Sequence, residues 1–206
     1  MGVEIQTFSS GPIGTNSYLV LSAGHAMIVD ASHDVTTAIT DAAAKAGARI
    51  DAIVITHPHW DHIGDAAPLK IATDAPIYAH RGAVEKMENP GTSLAMEIPA
   101  IAPSRPDRFI EEGDFIIVGD TTFEVLYLPG HEPSHIALYD KADGIILGGD
   151  VLFPRGHGRI DIPGANQRDM MASLSRLAAL PDNVIVYPGH GDPTTIGAEK
   201  DWLPSA

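Results

Sequence analysis

The chain has 206 residues, 44% hydrophobic and 19% charged, which fits a folded globular protein and excludes a disordered or low-complexity one. A formal charge of −14, with no Lys/Arg cluster to offset it, repels phosphate backbones and excludes nucleic acid as a partner. No apolar run approaches the ~18 residues of a membrane span, and the opening MGVEIQTF lacks basic and apolar signal regions, so no membrane partner, no secretory leader and a cytoplasmic location are expected.

Residues 3–8 alternate and predict a strand, with a turn at 11–14. Residues 17–22 and 26–30 predict a hairpin around Ala23-Gly24. The Ala-rich stretch 34–46 predicts a helix capped by Asp34 and ended by Gly47. Residues 51–56 (DAIVIT) predict a buried, β-branched strand that runs straight into His57. Pro58 opposes helix at His57, so a loop comes first and a helix is expected from about Asp61 to about Ala72. Residues 75–79 predict another strand. Residues 84–112, with Pro90, Pro99, Pro103 and Pro106, form the least regular stretch, equally suited to a substrate loop or a surface connection. Strands are expected at 114–118 and 122–128, around Gly119-Asp120, and again at 135–139, 144–148 and 183–187. Residues 166–179 predict an amphipathic helix, with Met170, Met171, Leu174, Leu177 and Ala178 at helical spacing, Asn166 as its cap and Pro181 beyond its end. No repeat or linker interrupts the chain, so one α/β domain over 1–206 is expected.

The chemistry concentrates just past the strand ends. His57-x-His59-x-Asp61-His62 places four nitrogen or oxygen ligands within six residues. In an extended loop His57 and His59 point the same way, and the turn that follows aims Asp61 and His62 at a neighbouring point. Three further candidates each follow a strand: His131 in LPGHEPSH, Asp150 in LGGD and His190 in YPGHG. Their flanking glycines allow the backbone to turn tightly beside a crowded site. The seven ligands suit two divalent ions with a bridging carboxylate, zinc first, iron or manganese as alternatives. With no cysteine in the chain, no thiolate enters the choice of metal.

HxHxDH followed in order by PGH, GGD and PGHG resembles the metallo-β-lactamase superfamily, in its compact glyoxalase II-like branch, from GPIGTNSYLV near the start to PGHGDPTTIG near the end. The resemblance implies a four-layer αββα sandwich with the site at one edge between two sheets. It implies that His57, His59 and His131 bind a first ion, that Asp61, His62 and His190 bind a second, and that Asp150 bridges them. The implied activity is hydrolysis of a small acyl-thiol such as S-lactoylglutathione by a metal-bridging hydroxide, with Asp61 orienting the nucleophile and the thiol carrier left open. A thiolate leaving group needs little protonation, which fits the lack of an obvious extra general acid. The alternatives are a mononuclear iron persulfide dioxygenase, a β-lactamase of a kind that places no Cys in its site, and a non-catalytic metal-binding accessory protein.

Other residues have narrower readings. His135, four residues after His131, is expected to act close to the metals, and Asp30 either orients a ligand or merely ends its strand. His25 and His33 are expected at the surface, and His80 and His157 as lone structural or solvated rings. Trp60 is expected to pack or else to line the substrate mouth, Arg159 and Asp161 to pair in the stretch that follows Asp150, and Met170-Met171 to belong to the core.

Overall fold

The computed structural model describes residues 2–91 and 100–204. In chain order, β1 (Glu4–Ser10), β2 (Thr15–Ser22) and β3 (His25–Val29) lead to α1 (Thr36–Lys45), β4 (Arg49–Ile55), α2 (Ala66–Thr73) and β5 (Ile77–Ala79). A short turn of 3-10 helix then enters α3 (Val84–Glu88), and β6 (Arg108–Phe109) completes the first half. The second half runs β7 (Phe115–Val118), β8 (Thr121–Tyr127), β9 (Ile136–Asp140), β10 (Ile145–Gly149), α4 (Gln167–Ala178), β11 (Ile185–Pro188), β12 (Thr194–Thr195) and α5 (Ile196–Glu199).

The strands make two six-stranded mixed sheets, in the orders β1-β2-β3-β4-β5-β6 and β12-β11-β10-β9-β8-β7. Period-two alternation sorts their side chains. On β2, Tyr18 and Val20 face the second sheet and join Met27, Val54, Phe123, Val125 and Leu138 in the central core. Leu19 and Leu21 face outward with Ile28 and Ile53, covered by Ile39 of α1, Leu69 of α2 and Met87 of α3. Beyond the second sheet, Ile146 and Val186 pack on Met170, Leu174 and Leu177 of α4 and Ile196 of α5. Three apolar layers thus hold four layers of structure, the expected αββα sandwich, and each large aliphatic side chain buried in them is worth roughly 1.5–3 kcal/mol.

β3, β4 and β5 run parallel, and β10 pairs parallel with β11. β8 and β10 both run antiparallel to β9, so they share a direction. The C-terminal ends of β3, β4, β8, β10 and β11 therefore carry the polar motifs. Direct bonds join the sheets at this edge: the Asn16 amide donates to Gly189 O at 2.7 Å, and the Ile136 amide to Thr56 O at 2.9 Å.

Several local expectations are corrected. Asp34 does not cap α1; it sits at φ +63, and the Asp65 carboxylate accepts the Thr36 amide (3.0 Å) and hydroxyl (2.6 Å) instead. The helix expected from Asp61 starts only at Ala66, because Asp61 and His62 are turned inward and the intervening loop is held by its own bonds, His62 N to His59 O and Asp65 N to Ala31 O. The strand expected at 75–79 is confined to Ile77–Ala79. The irregular stretch 84–112 contains α3 and β6, while its residues 92–99, Pro99 among them, lie outside the described ones. Asn166 does cap α4, its Oδ1 accepting the Asp169 amide at 3.1 Å. No helix among the described residues is long and apolar enough to cross a membrane.

Candidate metal centre

All seven sequence-predicted ligands converge at the sheet edge. Three groups of ligand atoms each lie within 4.8 Å of one another: His57, His59 and His131; Asp61, His62 and His190; and His57, His62 and Asp150. Asp150 spans the first two groups. Its Oδ1 is 3.4 Å from His62 Nε2, and its Oδ2 is 3.4 Å from His131 Nε2 and 3.6 Å from His190 Nε2.

The imidazoles are oriented from behind. His62 Nδ1 donates to Asp30 Oδ2 at 2.8 Å, His131 Nδ1 to the Arg159 carbonyl at 2.8 Å, and His57 Nδ1 to Thr56 Oγ1 at 3.0 Å. Thr56 in turn donates its amide and hydroxyl to Asp30. In its neutral form, with the proton on Nδ1, each ring presents a bare Nε2 lone pair to the centre. Among the described residues the Nε2 atoms of His57, His62 and His131 and the Oδ1 of Asp150 are buried without a hydrogen-bond partner. Buried polar atoms are costly to leave unpaired, and a shared cation satisfies all four at once. The nitrogen and oxygen donors present therefore fit divalent metal.

The electrostatics follow from the packing. Burial pushes His57 well below the ordinary imidazole range, helped by the neighbouring rings of His62 and His59. His59 is lowered to about 3 by burial and by His131. Burial acts the same way on His62, but Asp61, Asp30 and Asp150 outweigh it and raise that ring well above its usual value. For Asp61, burial favours the neutral acid, yet His62 and hydrogen bonds with His190 and Thr15 together hold the carboxyl below the usual carboxylate range.

Glycines make room for this crowding. A Cβ on Gly189 would lie 2.1 Å from Asp150 Oδ1 and 2.7 Å from His62 Cε1. Gly149 sits at φ +52, and a Cβ there would fall 2.7 Å from Thr56 Oγ1 and 2.8 Å from His135 Nε2. The centre forms the floor of an open cavity of about 810 Å³, walled by Ile13, Trp60, Phe153 and Ile162, with Lys86 among its polar lining.

Other candidates fall as follows. His135 is fully buried, and its Nε2 accepts the Asp150 amide at 3.0 Å, so it holds the backbone at Asp150. Asp30 orients His62 as well as ending its strand. His33, expected at the surface, is buried at 4% exposure, its ring against Gly64 and 5.8 Å from that of Trp60. His80 caps the 3-10 turn, and Arg159 pairs with Asp161 in an exposed salt bridge. His157 lines the cavity rather than standing apart from it, as does Trp60. Sequence reasoning missed Thr15, whose hydroxyl donates to Asp61 Oδ2 at 2.7 Å; it begins β2, 46 residues away, with no spacing signal to link it to the motif.

The sequence profile of the metallo-beta-lactamase superfamily matches residues 10–190. Among curated relatives, the probable metallo-hydrolase YqgX of Bacillus subtilis is 32% identical, covering 94% of this chain and 93% of its own. The hydroxyacylglutathione hydrolase GloC of Haemophilus influenzae is 37% identical over 72% of each. Among solved structures, the BLEG-1 B3 metallo-beta-lactamase overlays with a TM-score of 0.89 at 30% identity, covering 98% of both chains. The di-iron-bound form of TTHA1623 gives 0.81 at 36% identity, covering 97% of this chain and 98% of that one. A profile that runs through every one of the converging histidines and aspartates, and relatives of this identity over nearly the full length, place the chain in the metallo-beta-lactamase superfamily, whose members are mostly metal-dependent hydrolases.

Proposed function

We propose that the chain is a binuclear metal-dependent hydrolase that cleaves a small acyl thioester of the S-lactoylglutathione kind. The observation that carries this reading is the set of bare, buried Nε2 and Oδ1 atoms at the floor of an accessible cavity. His57, His59 and His131 would hold one ion, Asp61, His62 and His190 the other, and Asp150 both. A bound divalent pair supplies Lewis acidity toward an acyl carbonyl and lowers the pKa of bound water to roughly 7. Zinc is the first choice, but an all-nitrogen-and-oxygen donor set does not favour it over iron, and the two-iron form of TTHA1623 keeps iron in view.

The protein's own contribution is orientation. Asp61 lines the cavity, kept ionised and fixed by Thr15, and would orient the attacking water by accepting a hydrogen bond from it. His135 and Gly149 fix the backbone that presents Asp150. The apolar walls of Ile13, Trp60, Phe153 and Ile162 suit the uncharged acyl-thioester portion of such a substrate. A leaving thiolate needs no strong proton donor. The likeness to GloC supports the thioester class.

The test is turnover of S-D-lactoylglutathione by zinc-loaded protein, followed by loss of thioester absorbance, with elemental analysis of the same sample. Expected are two ions per chain and a rate that falls by at least ~10²-fold in Asp61→Ala. No turnover would remove this substrate and move the search to other acyl thiols, and a single iron would favour persulfide oxidation. The overlay on BLEG-1 favours a second reading, β-lactam hydrolysis at the same centre, which a chromogenic cephalosporin distinguishes.

A further inference from the structure

The loop after Asp150 contains a feature that the chemistry above leaves unused. Residues 153–156 close a tight turn, with Phe153 N donating to Gly156 O at 2.8 Å and Gly156 N to Phe153 O at 3.1 Å. Arg155, third in that turn, sits at φ +59. This is the left-handed region, which strains an L side chain and ordinarily goes to glycine. The Arg155 amide donates at 2.7 Å to Glu199 Oε2, from 44 residues further along the chain.

Glu199 is only 3% exposed. Its Oε2 also accepts the Trp202 indole N–H at 2.6 Å, and its Oε1 accepts the Thr194 hydroxyl. A carboxylate this buried is tolerated because every donor around it is aimed at the charge. One side chain on α5 thus ties β12 and the C-terminal turn to the tip of the loop that leaves β10. The same loop builds the cavity wall. The Phe153 ring meets His190 edge-on at 6.1 Å between centroids, and His157 stands 6.4 Å from Trp202. Phe153 and His157 both line the cavity.

We propose that Glu199 is a positioning residue for the substrate mouth: by accepting the Arg155 amide it holds the strained turn that sets Phe153 beside His190. The identity of the substrate rests on the thioester reading; the placement of the wall does not.

Glu199→Leu keeps roughly the size of the side chain but removes both acceptor oxygens, so the Arg155 amide, the Trp202 indole and the Thr194 hydroxyl all lose their partner. The five phenylalanines are labelled with fluorine, and the Phe153 resonance is assigned with Phe153→Leu. In Glu199→Leu the Phe153 line is expected to broaden or split while the other resonances hold. KM should rise roughly three- to tenfold, with kcat and bound metal little changed. Adding Arg155→Gly should restore both the line and KM, since glycine adopts φ +59 without strain. Arg155→Gly alone disturbs no packing, and should keep the Phe153 line and melt at or above the wild-type temperature. An unchanged Phe153 line in Glu199→Leu, a double variant that behaves like the single one, or an Arg155→Gly protein that melts below wild type would each overturn the proposal. Failure of the thioester reading shows separately, as a wild-type protein without turnover whose fluorine spectra still respond.

Discussion

The Asp30 carboxylate receives His62 Nδ1–H on one oxygen and the Thr56 amide on the other, while Thr56 passes the constraint on to His57. Two ligand rings, one from each proposed ion, are thereby fixed by a residue that ligates neither. Asp30→Asn should retain the Thr56 amide bond through its remaining oxygen but turn a donor toward His62. Metal affinity is expected to fall roughly 10–100-fold with the fold intact, read by competition with a chromogenic chelator. Affinity equal to wild type would mean that His62 is oriented by packing alone. At this scale the sequence was legible wherever the chemistry is local. His57, His59, Asp61 and His62 announce themselves by spacing, and His131, Asp150 and His190 by the glycines before them, of which Gly149 and Gly189 make room at the site and Gly130 makes room for Met170 of α4. Thr15 and the burial of His33 were not legible, since each depends on which distant segment is packed against it.

Elements were readable where the apolar residues carry the pattern, on one face in α4 and along the whole length of β2, and misread where a cap comes from elsewhere in the fold. The stretch before α1 offers Asp34 as a local cap, yet that residue is left-handed, and the true acceptor is Asp65 from the turn before α2. The two readings predict opposite results. Asp65→Ala should lose ~1–2 kcal/mol in denaturant unfolding, because it strips both Thr36 bonds and the contact between the two helix starts. Asp34→Gly should be neutral or stabilising, because glycine takes φ +63 freely. A loss at Asp34 comparable to that at Asp65 would restore the local cap. The late start of α2 has a related cause: the short-range signal for helix after Pro58 yields to the requirement that Asp61 and His62 face the centre.

Across the whole molecule, the ligand candidates come from both sheets: His57, His59, Asp61 and His62 follow β4 of the first, and His131, Asp150 and His190 follow strands of the second. Bound metal therefore cross-links the sandwich at one edge and stabilises the folded chain by mass action. Chelation should lower the melting temperature, and re-addition of zinc should raise it in a concentration-dependent way. The pH dependence has a defined sign. In the metal-free chain, burial opposes protonation of His62 and His190, but the surrounding aspartates prevail and raise both above the ordinary value near 6.5. Their contribution to the metal-free fold is full below that value and is lost as pH rises through the raised folded values. Metal requires the same rings deprotonated, so its binding should release protons and tighten as pH increases over that window. The metal-free protein should thus lose melting temperature toward alkaline pH while the loaded protein does not, and the gap between the two curves should widen. Parallel curves from pH 6 to 9 would show that His62 and His190 are already neutral in the metal-free chain, and that the aspartates around them do not hold the proton that metal is expected to displace.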